Sequence, residues 1–157
     1  MKQGSGIRAQ GLGVLVLVAA LLAASPVIAQ TENYRARLSP VPVENTRSGI
    51  TGAGSLTATL TGKSLVVRGT FEGMQTPATI AEVHLGPRGI RGPVMFALTV
   101  TKGANGAGTL AGTFNLTPEQ VEAVKLARFY VQVHSEKAPD GNLWGWLLPA
   151  PSKTEGR

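Results

Sequence analysis

The chain contains no cysteine, and that absence closes three routes at once: a disulfide framework, a thiolate metal site and a cysteine nucleophile. Aromatic residues are scarce at 5% and charged residues make up only 15%, with no consecutive Lys or Arg anywhere. The formal charge of +6 is therefore not a nucleic-acid footprint, and no nucleic-acid partner is expected. The longest apolar run, Val14 to Ala24, falls short of the roughly 20 residues of a spanning helix. Sequence signatures of catalysis are missing too: there is no G-x-S-x-G, no H-E-x-x-H and no carboxylate pair outlined by a motif, so no enzyme is expected. Internal repeats and low-complexity runs are also absent.

What is present begins with a leader. Lys2 and Arg8 precede the apolar run, and Val27-Ile28-Ala29 offers a small-residue cleavage site before Gln30. Residues 1–29 read as a signal peptide, in preference to an uncleaved membrane anchor, and place the mature chain in the periplasm or medium with no transmembrane segment left. Without Lys2 and Arg8 the balance is 13 basic against 9 acidic residues, a mild +4 that suits solubility or weak attraction to anionic surfaces. With 43% hydrophobic residues, 20 glycines and 10 prolines, the remainder suits one core and frequent turns, hence one domain over 30–149 and a flexible tail over 150–157.

Period-two alternation predicts about eight strands. Tyr34 to Leu38 opens, with Tyr34, Ala36 and Leu38 inward, and Ser39 to Gly54 reads as a long loop or edge segment. Ser55–Thr61 and Ser64–Glu72 form a hairpin about Gly62-Lys63, which sets Leu60 opposite Leu65 and Ala58 opposite Val67. Ile80–Leu85 follows, then a Gly/Pro loop, then Val94–Val100 with Val94, Phe96, Leu98 and Val100 inward, and Thr109–Leu116. Thr117-Pro118-Glu119-Gln120 carries an N-cap, a first-turn proline and a capping-box glutamine, so a short helix is expected, with Val121, Val124 and Leu126 as its apolar stripe. Phe129–Ser135 and Leu143–Leu148 complete the set. Eight strands and one helix without βαβ alternation predict an all-β fold, an antiparallel β-sandwich or partly closed barrel.

Three groups of residues carry chemical possibilities. Alternation puts Glu82 and His84 on one face of their strand, and Tyr130, Gln132 and His134 on the corresponding face of theirs. Glu82, His84 and His134 suit Zn²⁺ or Cu²⁺, although polar residues alternating on a half-solvated sheet give the same pattern. Trp144 and Trp146 with Tyr130 form a potential aromatic platform for a protein or glycan partner, unless the helix or the Ser39–Gly54 loop covers them as a minor second core. The loop Gly86–Pro93 presents Arg88 and Arg91 among glycines that free backbone N–H groups, but it lacks the lysine and helix start of a phosphate loop and reads as a plain hairpin loop.

Taken in order, these patches resemble the chordin-type (CHRD) domain. The resemblance rests on Tyr34 to Pro42, Gly49 to Leu60, Ala81-Glu82-Val83-His84 with Gly86 and Gly92-Pro93-Val94, Leu116 to Gln120, Tyr130 to Ser135 and Gly141 to Leu147. It departs from the family pattern at Glu82, where the first histidine of H-I-H is usual, at Gln132, where asparagine is usual, and at Trp144, where arginine is usual. The resemblance implies an exported, non-enzymatic β-sandwich module that binds or scaffolds. Bacterial members have no agreed activity, and animal relatives sit in proteins that bind growth factors. The reading that follows is a binding module acting through the His/Trp face, and the alternative is a Zn- or Cu-binding protein using Glu82, His84 and His134.

Overall fold

The alternation of the sequence becomes a ring of strands whose aliphatic side chains point to a common interior. The computed structural model describes residue 4 and residues 30–42 and 50–151. Apart from residue 4, the leader expected over 1–29 lies outside the described residues, as do the middle of the Ser39–Gly54 segment and most of the 150–157 tail. The strands are β1 (Thr31–Pro40), β2 (Ala53–Thr61), β3 (Ser64–Glu72), β4 (Ala78–Leu85), β5 (Val94–Lys102), β6 (Gly108–Asn115), β7 (Phe129–Ser135), β8 (Leu143–Trp146) and β9 (Leu148–Pro149). Helix α1 (Pro118–Lys125) lies between β6 and β7. Every pairing is antiparallel.

Strand order is β2-β3-β6-β5-β4-β7-β8-β1, and because β1 also pairs with β2 the sheet closes into an eight-stranded barrel, with β9 as an extra strand on β1. Closure decides between the two expected architectures, and it removes the unpaired edges that an open sheet exposes. It requires β8 to approach β1 closely. Gly145 permits this, because a Cβ there would collide with the Arg37 carbonyl oxygen.

The hairpin register is the one expected, with Ala58 opposite Val67 and Leu60 opposite Leu65. Leu60, Leu65, Val67, Val83, Val131, Val133, Leu143 and Leu147 share one buried core. Thr117 caps α1: its hydroxyl accepts from the Gln120 N–H, while the Gln120 side chain accepts from the Thr117 N–H. Val124 of this helix is fully buried.

Four expectations are corrected. Ser39 and Pro40 are not loop, since they extend β1 and pair with Trp144 and Leu143 of β8. Val94 does not face inward: the β4–β5 register shifts between Val83 and His84, so Val94 stands opposite outward-facing His84 and is 50% exposed. Leu126 lies beyond the last helical turn and is exposed. The last strand is divided at Leu147, whose N–H goes to Phe129 O, and the chain beyond it is held to β1 through β9 and through Ala150 N–H to Asn33 O. Among the described residues no helix is long and apolar enough to cross a membrane.

Candidate metal centre

The two histidine strands are direct neighbours. In the β4–β7 ladder Glu82 stands opposite Gln132 and His84 opposite Tyr130, and in the β7–β8 ladder Gln132 stands opposite Trp144 and Tyr130 opposite Trp146. The inner residues Val131 and Val133 fill the barrel, so the outer residues of β4, β7 and β8 form one patch on its outside. At its centre that patch is closed to solvent. Tyr130 is 0% exposed, Gln132 2%, His84 7% and His134 8%.

Glu82, His84 and His134 offer ligand atoms that all lie within 4.8 Å of one another. His84 Nε2 is 3.6 Å and His134 Nε2 is 3.5 Å from the same carboxylate oxygen, Glu82 Oε2. The other ring nitrogens are already committed: His84 Nδ1 is 3.0 Å from Gly92 O and His134 Nδ1 is 2.7 Å from Pro139 O. A carbonyl oxygen can only accept, so each Nδ1 carries a proton, and Nε2 is the ring atom left to face Glu82. Both Nε2 atoms therefore face one carboxylate oxygen. Gln132 Nε2 is 3.5 Å from His134 Nε2 while donating to Asp140 O at 2.9 Å, and buried His84 Nε2 has no hydrogen-bond partner among the described residues.

With both Nε2 atoms unprotonated, the two imidazoles and the carboxylate turn three lone pairs toward one another, an arrangement that a cation placed among them satisfies. Ligand atoms about 2.0–2.2 Å from Zn²⁺ in a tetrahedron stand about 3.3–3.6 Å apart, the range in which both histidine-to-glutamate separations fall. Carbonyls that fix the far side of each imidazole are the usual outer partners of ligating histidines.

Around this group stands an aromatic wall. Tyr130 stacks on His84 with ring centroids 4.9 Å apart and packs against Trp146 at 4.7 Å, and Trp144 meets Trp146 edge-on at 4.7 Å. Among the described residues the covering element is not the helix but the loop between β4 and β5; the middle of the Ser39–Gly54 segment lies outside the described residues. Trp146 Nε1 donates to Gly86 O, and Gly92 N–H donates to the Tyr130 hydroxyl. This loop clasps the β7–β8 loop through Arg91 Nη1, which donates to Asp140 O at 2.6 Å. Trp144 and Trp146 remain half-buried.

Of the residues singled out from sequence, Glu82, His84, His134, Gln132, Tyr130, Trp144 and Trp146 thus come together. Arg88 does not join them by any hydrogen bond or ion pair among the described residues and lies exposed in the loop. Sequence reasoning missed the carbonyls of Gly92 and Pro139, which no side chain advertises, and the Arg91 clasp. The Gly/Pro content of both loops was the available signal, since tight turns expose backbone carbonyls.

No curated protein and no solved structure matches the chain. The family model for the CHRD domain matches residues 34–147, which spans the barrel from β1 through β8 and includes every residue of the site. The chain belongs to the CHRD domain family.

Proposed function

We propose that this chain is an exported, non-enzymatic binding module whose ligand is a divalent metal, Zn²⁺ or Cu²⁺, held by Glu82, His84 and His134. One observation carries the reading: two buried imidazoles, each locked through Nδ1 to a carbonyl, direct their Nε2 atoms at a single carboxylate oxygen. Imidazole nitrogen with carboxylate oxygen is a donor set suited to these ions. Docking of a protein or glycan partner on the His/Trp face is less well supported, because Tyr130 is fully buried beneath the loop 86–93 and the Gln132 amide is buried against Asp140, which leaves only the half-buried tryptophans to meet a partner.

The test is calorimetric titration of chelator-treated protein, recovered from the envelope or medium, with Zn²⁺ and with Cu²⁺. One ion per chain is expected, on a species whose intact mass begins at Gln30. Glu82→Gln should weaken binding by at least the 10–100-fold typical of lost outer partners, since it removes a ligand itself. Binding should fade as pH falls through the range in which imidazoles protonate, because imidazolium cannot ligate. Absence of stoichiometric binding by either ion, or binding indifferent to Glu82→Gln, overturns the metal reading. A mass that retains residues 1–29 overturns the exported one.

A further inference from the structure

The opposite side of the barrel carries a second surface of different chemistry. In the closed ring β3 lies four places from β7, so the outer face of β1, β2, β3, β6 and β5 points away from the metal centre. Two rows of paired residues cross it. One runs Arg35, Thr57, Arg68, Ala111, Thr99, and the next runs Arg37, Ser55, Thr70, Thr109, Thr101. Thr59 and Thr113 flank them on either side of Val66. Between the rows lies a shallow depression of about 440 Å³, lined by Ser55, Thr57, Arg68, Thr70, Thr109 and Ala111 among others.

We propose that this face docks an acidic polysaccharide, with the three arginines holding carboxylates and the hydroxyl-bearing side chains meeting sugar hydroxyls. Arg35, Arg37 and Arg68 are all exposed, and among the described residues none makes an ion pair or a side-chain hydrogen bond. Their guanidinium groups are left to an external anion, which they can grip in a two-pronged fashion. Strand spacing sets Arg35 and Arg68 about 9–10 Å apart across β2, with Arg37 about 7 Å further along β1. A polymer with one carboxylate on each sugar offers charges at a spacing of this order. The one acidic residue among the outward positions of these strands is Glu72, at the end of β3 beside Ala53.

The same composition disfavours other polyanions. A lipid surface is gripped by apolar and aromatic side chains set among basic ones, and among the described residues of the two rows and their flanks half-buried Val66 is the only large apolar group, the exposed Val94 lying at the far end of β5 beside His84. Single-stranded nucleic acid needs rings for its bases to stack on, and among the described residues of these rows there are none. This inference is independent of the metal.

The experiment uses the full-length chain in affinity electrophoresis through gels containing polygalacturonate, with dextran gels and sedimentation with phosphatidylglycerol vesicles alongside. Retardation by polygalacturonate, weakened by salt and absent with dextran, is expected. The triple variant Arg35→Gln, Arg37→Gln, Arg68→Gln should lose roughly tenfold or more in affinity. Its circular dichroism should not change, because all three positions are exposed. Arg88→Gln, which lies off this face, should bind as the parent does. The proposal is overturned if the triple variant binds like the parent, if Arg88→Gln loses as much as the triple variant, if dextran retards equally, or if vesicles are bound and polygalacturonate is not.

Discussion

At His84 the atom that decides the chemistry is Nδ1, because its bond to Gly92 O leaves Nε2 as the ring atom aimed at Glu82. Gly92 holds this position from both sides, its N–H donating to the Tyr130 hydroxyl and its carbonyl accepting from the imidazole. A Cβ at Gly92 would collide with the Leu85 carbonyl, so Gly92→Ala must push the loop outward and turn the ring. The expected result is a 10–100-fold loss of metal affinity without removal of any ligand, as for other outer-shell partners. Titration of the variant beside the parent measures it, and unchanged affinity would show that the loop does not orient His84. At this scale the sequence was legible where side-chain parity speaks. Glu82, His84, Tyr130, Gln132 and His134 fall on the faces that period-two alternation assigns them. It was silent where a backbone carbonyl acts, since Gly92 and Pro139 contribute atoms that every residue has.

Among the elements, the β2–β3 hairpin follows from local rules alone. Gly62, with φ of 59°, takes the left-handed turn position that glycine occupies at no steric cost, and the two-residue turn then fixes every partner along both strands. Leu65 is fully buried, whereas Lys63 is exposed at the turn. Leu65→Ala should therefore cost about 2–5 kcal/mol in urea unfolding. Lys63→Ala should stay within about 0.5 kcal/mol. Equal losses would mean that the register is not what holds this hairpin. β5 was less legible for a physical reason. Its own alternation is clean from Val94 to Val100, but the register shift at Val83/His84 turns Val94 outward, and that irregularity belongs to the pair of strands rather than to either sequence. The covering loop was hidden similarly: its lid role comes from Trp146, Tyr130 and Asp140, which are distant in sequence.

For the whole molecule, closure depends on β1, which meets β2 along most of its length and β8 through Ser39 and Pro40. This pairing joins the start of the domain to its end, so no short-range pattern could foretell it, although the all-β class and strand count follow from alternation and turns. The proposed metal centre sits on the same ring: Glu82 and His84 of β4 meet His134 of β7 there, and the histidines are bonded through Gly92 and Pro139 to the two loops clasped by Arg91. A ligand that binds only the folded barrel must stabilise it by mass action. At a free concentration one hundred times the dissociation constant the gain is about 2.7 kcal/mol. For a domain of this size that raises the unfolding midpoint by roughly 10 °C. Differential scanning calorimetry with and without Zn²⁺ should show the shift near neutral pH, lose it when the imidazoles are protonated, and lose it in Glu82→Gln. A midpoint that rises equally in Glu82→Gln would place the ion elsewhere on the chain, and the convergence of His84, His134 and Glu82 would then have to be explained by a shared proton instead.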